Sequence, residues 1–176
     1  MGMFVITTIL VGCNSAKEVS KVQPSKPPTI VSPLAEKTPK SSSLKALEQS
    51  IHQQVNEYRQ SRNLPPLSLD SRISEQAKLH SQAMAKGEVP FSHEGFDQRV
   101  KAIAKSIPYR SAAENVAFNQ GYSDPATQAV QGWLKSPGHL KNIEGDFDLT
   151  GISAIKNNQD EYYFTQIFIR RSRYGF

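Results

Sequence analysis

The segment from Tyr162 to Arg170 constrains this chain most. Side chains in a strand alternate between two faces. Here both sets are mostly apolar: Tyr162, Phe164 and Phe168 on one, Tyr163, Ile167 and Ile169 on the other. A strand that is apolar on both faces needs material packed above and below its sheet. Thr150 to Lys156 reads as a second strand, joined to the first through the turn Asn157-Asn158-Gln159-Asp160. Glu114 to Phe118 supplies a candidate third strand.

The covering layers come from upstream helices. Leu44, Leu47, Ile51, Val55 and Tyr58 recur at spacings of three and four, which predicts a helix from Leu44 to about Asn63, ahead of Pro65-Pro66. Leu67-Ser68-Leu69 is an extended link. Asp70 is placed to N-cap a second helix carrying Ile73, Ala77, Leu79, His80, Ala83 and Met84 to about Lys86, with Gly87 at its end. A short third helix covers Phe96 to Ala104. Asp124-Pro125 pairs an N-cap with proline in the first turn and opens a fourth helix. That helix carries Ala129, Val130, Trp133 and Leu134 and stops before Pro137-Gly138. The expectation is an α+β domain over 44–176, a three-layer α-β-α sandwich with a small antiparallel sheet. Trp133 and His80 sit on apolar faces and are expected in the core. His52, beside the stripe of the first helix, is expected to be exposed.

The N-terminal quarter has a different character. Residues 1–43 carry five Lys and two Glu, so most of the formal net charge of +5 lies there. An apolar run from Met3 to Val11, too short to span a bilayer as a helix, leads into Leu10-Val11-Gly12-Cys13. This resembles a bacterial lipobox, in which a peptidase cuts before the cysteine and the thiol then carries lipid. The only cysteine of the chain falls where that motif needs it. A chance cysteine after an apolar start is the alternative, and no Lys or Arg precedes the run, where a signal peptide carries charge. Residues 14–43 hold five prolines, then Ser41-Ser42-Ser43, without an apolar period. Such a stretch buries too little to offset its ordering entropy. Residues 1–13 are thus expected to be a signal peptide with a lipobox, and 14–43 a disordered Pro/Ser/Lys-rich tether. The domain would be anchored outside the cytoplasm by lipid on Cys13, or secreted. A single cysteine excludes an internal disulfide framework. No Lys/Arg patch with interleaved aromatics appears, so nucleic acid is not an expected partner. A monomer is expected.

Three polar residues stand out. His93 lies in Phe91-Ser92-His93-Glu94-Gly95, between helices two and three. His139 follows Ser136-Pro137-Gly138, where proline and glycine end the helix and turn the chain. Glu114, in Ala113-Glu114-Asn115-Val116, is a carboxylate among apolar neighbours. It needs a partner or an upward pKa shift, and two imidazoles could serve. Asn115, Asn142 and Gln166 are expected to satisfy irregular backbone.

These segments resemble, in order and spacing, the CAP superfamily (cysteine-rich secretory protein, antigen 5, pathogenesis-related 1), and most closely its bacterial SCP-like branch. The matching pieces are Val55-Asn56-Glu57-Tyr58-Arg59, Leu69-Asp70 through Ala77, Phe91-Ser92-His93 and Ala113 through Ala117. The series continues with Val130 through Ile143, Thr150-Gly151-Ile152 and Tyr163-Phe164-Thr165-Gln166. The resemblance implies an α-β-α sandwich and a cleft tetrad of two His and two Glu. The first His falls on His93 and the first Glu on Glu114. The second Glu falls on Ser136 and the second His on Tyr163, so half of the tetrad is missing.

The resemblance implies sterol- or lipid-like ligands. The expected function is therefore binding of a small lipid-like or cell-envelope ligand in a cleft of His93, Glu114, His139, Ser136 and Tyr163. A divalent metal such as zinc could join it on His93, His139 and Glu114. A His93/Glu114-dependent peptidase or esterase is the rival reading, and an interaction module with a vestigial cleft the third. The expectation leans against catalysis: no Gly-x-Ser-x-Gly elbow occurs and the one cysteine is at position 13.

Overall fold

The computed structural model describes residues 39–172. Helix α1 spans Pro39–Ser61. It begins more than a turn before Leu44, since proline needs no N–H partner in a helix's first turn and presets φ there. The last residues of the expected tether are therefore helical, while 1–38, with Cys13, lie outside the described residues. Next come β1 (Ser68–Leu69), α2 (Ser71–Ala85), α3 (Phe96–Ala104) and β2 (Tyr109–Gln120). The chain closes with α4 (Pro125–Lys135), α5 (Pro137–Ile143), β3 (Leu149–Lys156) and β4 (Glu161–Arg171).

The capping signals act as expected. Asp70 accepts a hydrogen bond from the Arg72 N–H at 2.9 Å and Asp124 from the Thr127 N–H at 3.0 Å. Gly87 follows α2 with φ of 71°, the left-handed conformation that ends helices.

Three expectations need correction. The sheet is mixed, in the order β1-β3-β4-β2: β1 runs parallel to β3 and the other pairs are antiparallel. A two-residue strand is too short to show alternation, so the sequence reads it as a link. β2 runs twelve residues rather than five, because pairing along β4 holds its small, polar first half, which has no apolar period of its own. Pro137-Gly138 does not simply turn the chain. Proline there starts a second short helix, so His139 sits within α5.

β4 separates the layers as its sequence predicts. Phe164 and Phe168 pack with Ile51, Val55, Val130 and Trp133 beneath α1 and α4. Ile167 and Ile169 pack with Ile73, Ala77 and Ile103 beneath α2 and α3. α2 presses on β3 so closely that a Cβ at Gly151 would run into the backbone of Ile73 and Ser74. Leu79 turns outward and is exposed. His52 is half-buried rather than exposed, with Nε2 bonded to the Leu67 carbonyl at 2.8 Å.

Side chains meet open strand backbone on both sides of the sheet, at β3 beyond the two-residue β1 and along β2, which blunts edge-to-edge pairing. On β3, the Ala154 N–H donates to Glu48 at 3.0 Å. On β2, the Glu114 carbonyl accepts from Asn142 at 3.2 Å and the Val116 carbonyl from Trp133 Nε1 at 2.9 Å.

Candidate functional site

The site is built on edge strand β2. Consecutive strand residues point to opposite faces, and Glu114 and Asn115 use this to reach opposite layers. Glu114 is buried against α3. Arg99 grips it in a fork, with Nε 2.9 Å from Oε2 and Nη2 2.8 Å from Oε1. His93 adds a third bond, Nδ1 to Oε1 at 3.0 Å. The partners of Glu114 are thus one guanidinium and one imidazole, not the two imidazoles expected. Arg99 was legible in principle: it shares a helical face with Phe96, Val100 and Ile103, a position that demands a buried counter-charge.

A carboxylate only accepts, so His93 Nδ1–H donates this bond and Nε2 points away from it. The ring is half-exposed. Its loop is pinned one residue earlier, where His80 Nε2 donates to the Ser92 carbonyl at 2.8 Å. Burial holds the His80 pKa below the usual imidazole range. His80 is thus the satisfied core histidine that its helical face predicts.

Asn115 handles the other layer. Its Nδ2 donates to the His139 carbonyl at 3.2 Å, and its Oδ1 accepts from Asn142 at 2.9 Å. The His139 ring comes within 6.3 Å of the His93 ring, centroid to centroid, at 49°. His139 has its pKa lowered by burial and then by charge on His93. Its buried Nδ1 has no hydrogen-bond partner among the described residues.

His93, Glu114 and His139 therefore come together from the α2–α3 loop, β2 and α5. Ser136 borders a groove beside His139. Tyr163 stands apart from the three: its ring packs on Phe118 at 5.1 Å and its hydroxyl donates to Glu161 at 3.2 Å. The expected metal set of His93, His139 and Glu114 does not fit a zinc centre. Both Glu114 oxygens are committed to Arg99 and His93, leaving two imidazoles where a catalytic zinc takes three protein ligands. Among the described residues no group of three or more His, Cys, Asp or Glu is placed to hold a metal ion.

Residues 52–168, which carry all of this geometry, match the family model for the cysteine-rich secretory protein family, CAP. The chain belongs to this family. Its CAP domain is 33% identical over 135 residues to the uncharacterized protein YkwD of Bacillus subtilis, covering 73% of this chain and 49% of YkwD. The chain thus spans about half the length of that relative. It is similar to an extracellular protein containing a SCP domain from Bacillus anthracis, at 30% identity and a TM-score of 0.63, over 80% of this chain and 45% of that one. It shares its fold with an outer surface protein of Borrelia burgdorferi, at 21% identity and a TM-score of 0.63, over 73% of this chain and 95% of that one.

One further residue supports the CAP site from a distance. Arg59 is buried and donates to four carbonyls: Pro65 at 2.8 Å, Ile143 at 2.6 Å, Gly145 at 3.0 Å and Phe147 at 3.4 Å. It ties α1 to the end of α5, the helix that carries His139. It continues the four-residue spacing of Ile51 and Val55, which places it on the apolar face of α1.

Proposed function

We propose that this CAP domain is an extracytoplasmic binding module, held at a bacterial membrane by lipid on Cys13, that retains a small cell-envelope ligand beside His93 and His139. The commitment of Glu114 carries this reading. A general base must be free to take a proton from water. Glu114 instead spends its oxygens on Arg99 and on orienting His93. What remains open is hydrogen-bonding capacity on two facing imidazoles, which suits holding a ligand. The lipobox-like Leu10-Val11-Gly12-Cys13 and the likeness to an extracellular SCP-domain protein support the location. Among the described residues no helix is long and apolar enough to cross a membrane.

One observation favours the hydrolase as a second reading. A carboxylate on His93 Nδ1 is how enzymes orient a basic imidazole. Native mass spectrometry of the protein purified from its own bacterium tests the leading reading. A chain beginning at a lipidated Cys13 and an associated small mass, lost in His93→Ala, are expected. An unmodified Met1 removes the anchor, and a bare polypeptide mass removes the ligand.

A further inference from the structure

A second feature lies beside His139, where β2 faces α4. Phe91, Phe118 and Tyr163 form a row of rings, with centroids 6.3 Å and 5.1 Å apart. Phe91 is 52% exposed and Phe118 44%. Phe91 and Phe118 border a groove of about 280 Å³ between β2 and α4, whose lining includes Trp133 and Gly132. Gly132 is inside a helix, where glycine is less stable than alanine. A Cβ there would meet nothing within 4 Å outside its own helix backbone and chain neighbours, so packing against other elements does not demand the glycine. Its effect is to leave the groove open.

The polar lining indicates what fills it. Asn119 is buried and its Nδ2 donates to the Pro125 carbonyl, but its Oδ1 has no partner among the described residues. His139 Nδ1 is in the same position. Both residues line this one groove, with Gln128 and Ser136. Each unpartnered atom is a polar atom of a groove-lining residue that a ligand hydroxyl would satisfy. None of the described residues lining the groove is charged, which disfavours carboxylate, phosphate or ammonium ligands, since these recruit ion pairs. A fatty chain would leave the amide and imidazole groups unpaired. An added peptide strand would need the Val116 carbonyl, which Trp133 already holds.

We infer that this groove binds one neutral pyranose ring of an envelope polysaccharide. Its C–H face stacks on Phe118 and its rim touches Phe91, tilted 58° to the first ring, because aromatic faces are electronegative. Its hydroxyls pair with Asn119, Gln128, Ser136 and His139. The volume, near the lower end for ligand pockets, suits a single ring. The inference rests on the binding reading above and names the ligand class.

Trp133 is the only tryptophan, so its fluorescence reports the groove directly. The full chain is titrated with triacetylchitotriose and with maltotriose, and separately with lauric acid. A saturable response to one oligosaccharide is expected, weakened roughly tenfold or more in Phe118→Ala and in Gly132→Ala. Gly132→Ala should also raise the melting midpoint, which separates lost binding from lost folding. Unchanged sugar affinity in both variants, or no response to either sugar at about 10 mM, overturns the inference. A response to lauric acid alone also overturns it but leaves the binding reading standing. A bare polypeptide in the native spectrum would strike that reading instead.

Discussion

At the scale of single residues, Glu114 is a fastener before it is a reagent. Removing one member of a buried ion pair strands the other, at a typical cost of about 3–5 kcal/mol. Arg99→Ala should therefore lower stability to chemical denaturation by about that much and loosen the loop bearing His93. A loss under about 1 kcal/mol would show that water replaces the guanidinium freely. The histidines set the acid limb. Burial holds the pKa of His80 and of His139 below the 6.5 of an unperturbed imidazole. Above that pH both folded and unfolded chains carry these rings neutral, and neither contributes a slope. Below it the unfolded chain takes up protons that the folded chain refuses, so stability falls as pH falls. The melting midpoint should decline between about pH 7 and pH 5. His80→Gln, which keeps a donor for the Ser92 carbonyl, should flatten that decline. An unaltered slope would mean that His80 accepts its proton in the fold.

At the scale of elements, α4 and α5 determine how well the site is held. Trp133 packs in the main core and seals the edge of β2 with its indole N–H. Trp133→Ala should cost about 3–5 kcal/mol, the usual range for emptying a large aromatic site. An unchanged melting midpoint would contradict its place in the core. Arg59→Met removes donors from four carbonyls and should speed amide exchange in α5 before the rest of the domain. Uniform protection loss across all helices would argue that Arg59 stabilises the fold without singling out α5. Both Arg59 and Arg99 could be found by asking why a charge sits on an apolar stripe. α5 could not. Seven residues opening Pro-Gly give too few turns for a periodic pattern, and helical conformation there comes from packing against α4 and β2.

At the scale of the whole molecule, the layers were legible because β4 alone demands cover on both sides. The caps at Asp70 and Asp124 marked their helices because a side-chain oxygen answers a local N–H. Parallel pairing of β1 escaped notice because it depends on a partner far along the chain. At the site, Glu114 was visible as a carboxylate among apolar neighbours, and His93 through its loop and its match to the family pattern. The fork from Arg99 and the standing apart of Tyr163 depend on tertiary geometry. With Glu114 so occupied, peptide and ester substrates should show no turnover above background, with or without added zinc. Turnover abolished by both His93→Ala and Glu114→Ala would move the hydrolase reading to first place.

The strand order also governs when this protein can fold. Among the described residues the two central strands, β3 and β4, are the last elements, and β2 has no sheet neighbour except β4. β1 must wait for β3, about eighty residues further on, and closing so long a loop is entropically slow. Until the final hairpin leaves the ribosome, the amphipathic helices have no sheet to cover. The domain therefore completes its fold only once that hairpin is in place, and the contacts it makes with β1, β2, α1 and α2 form together rather than in sequence.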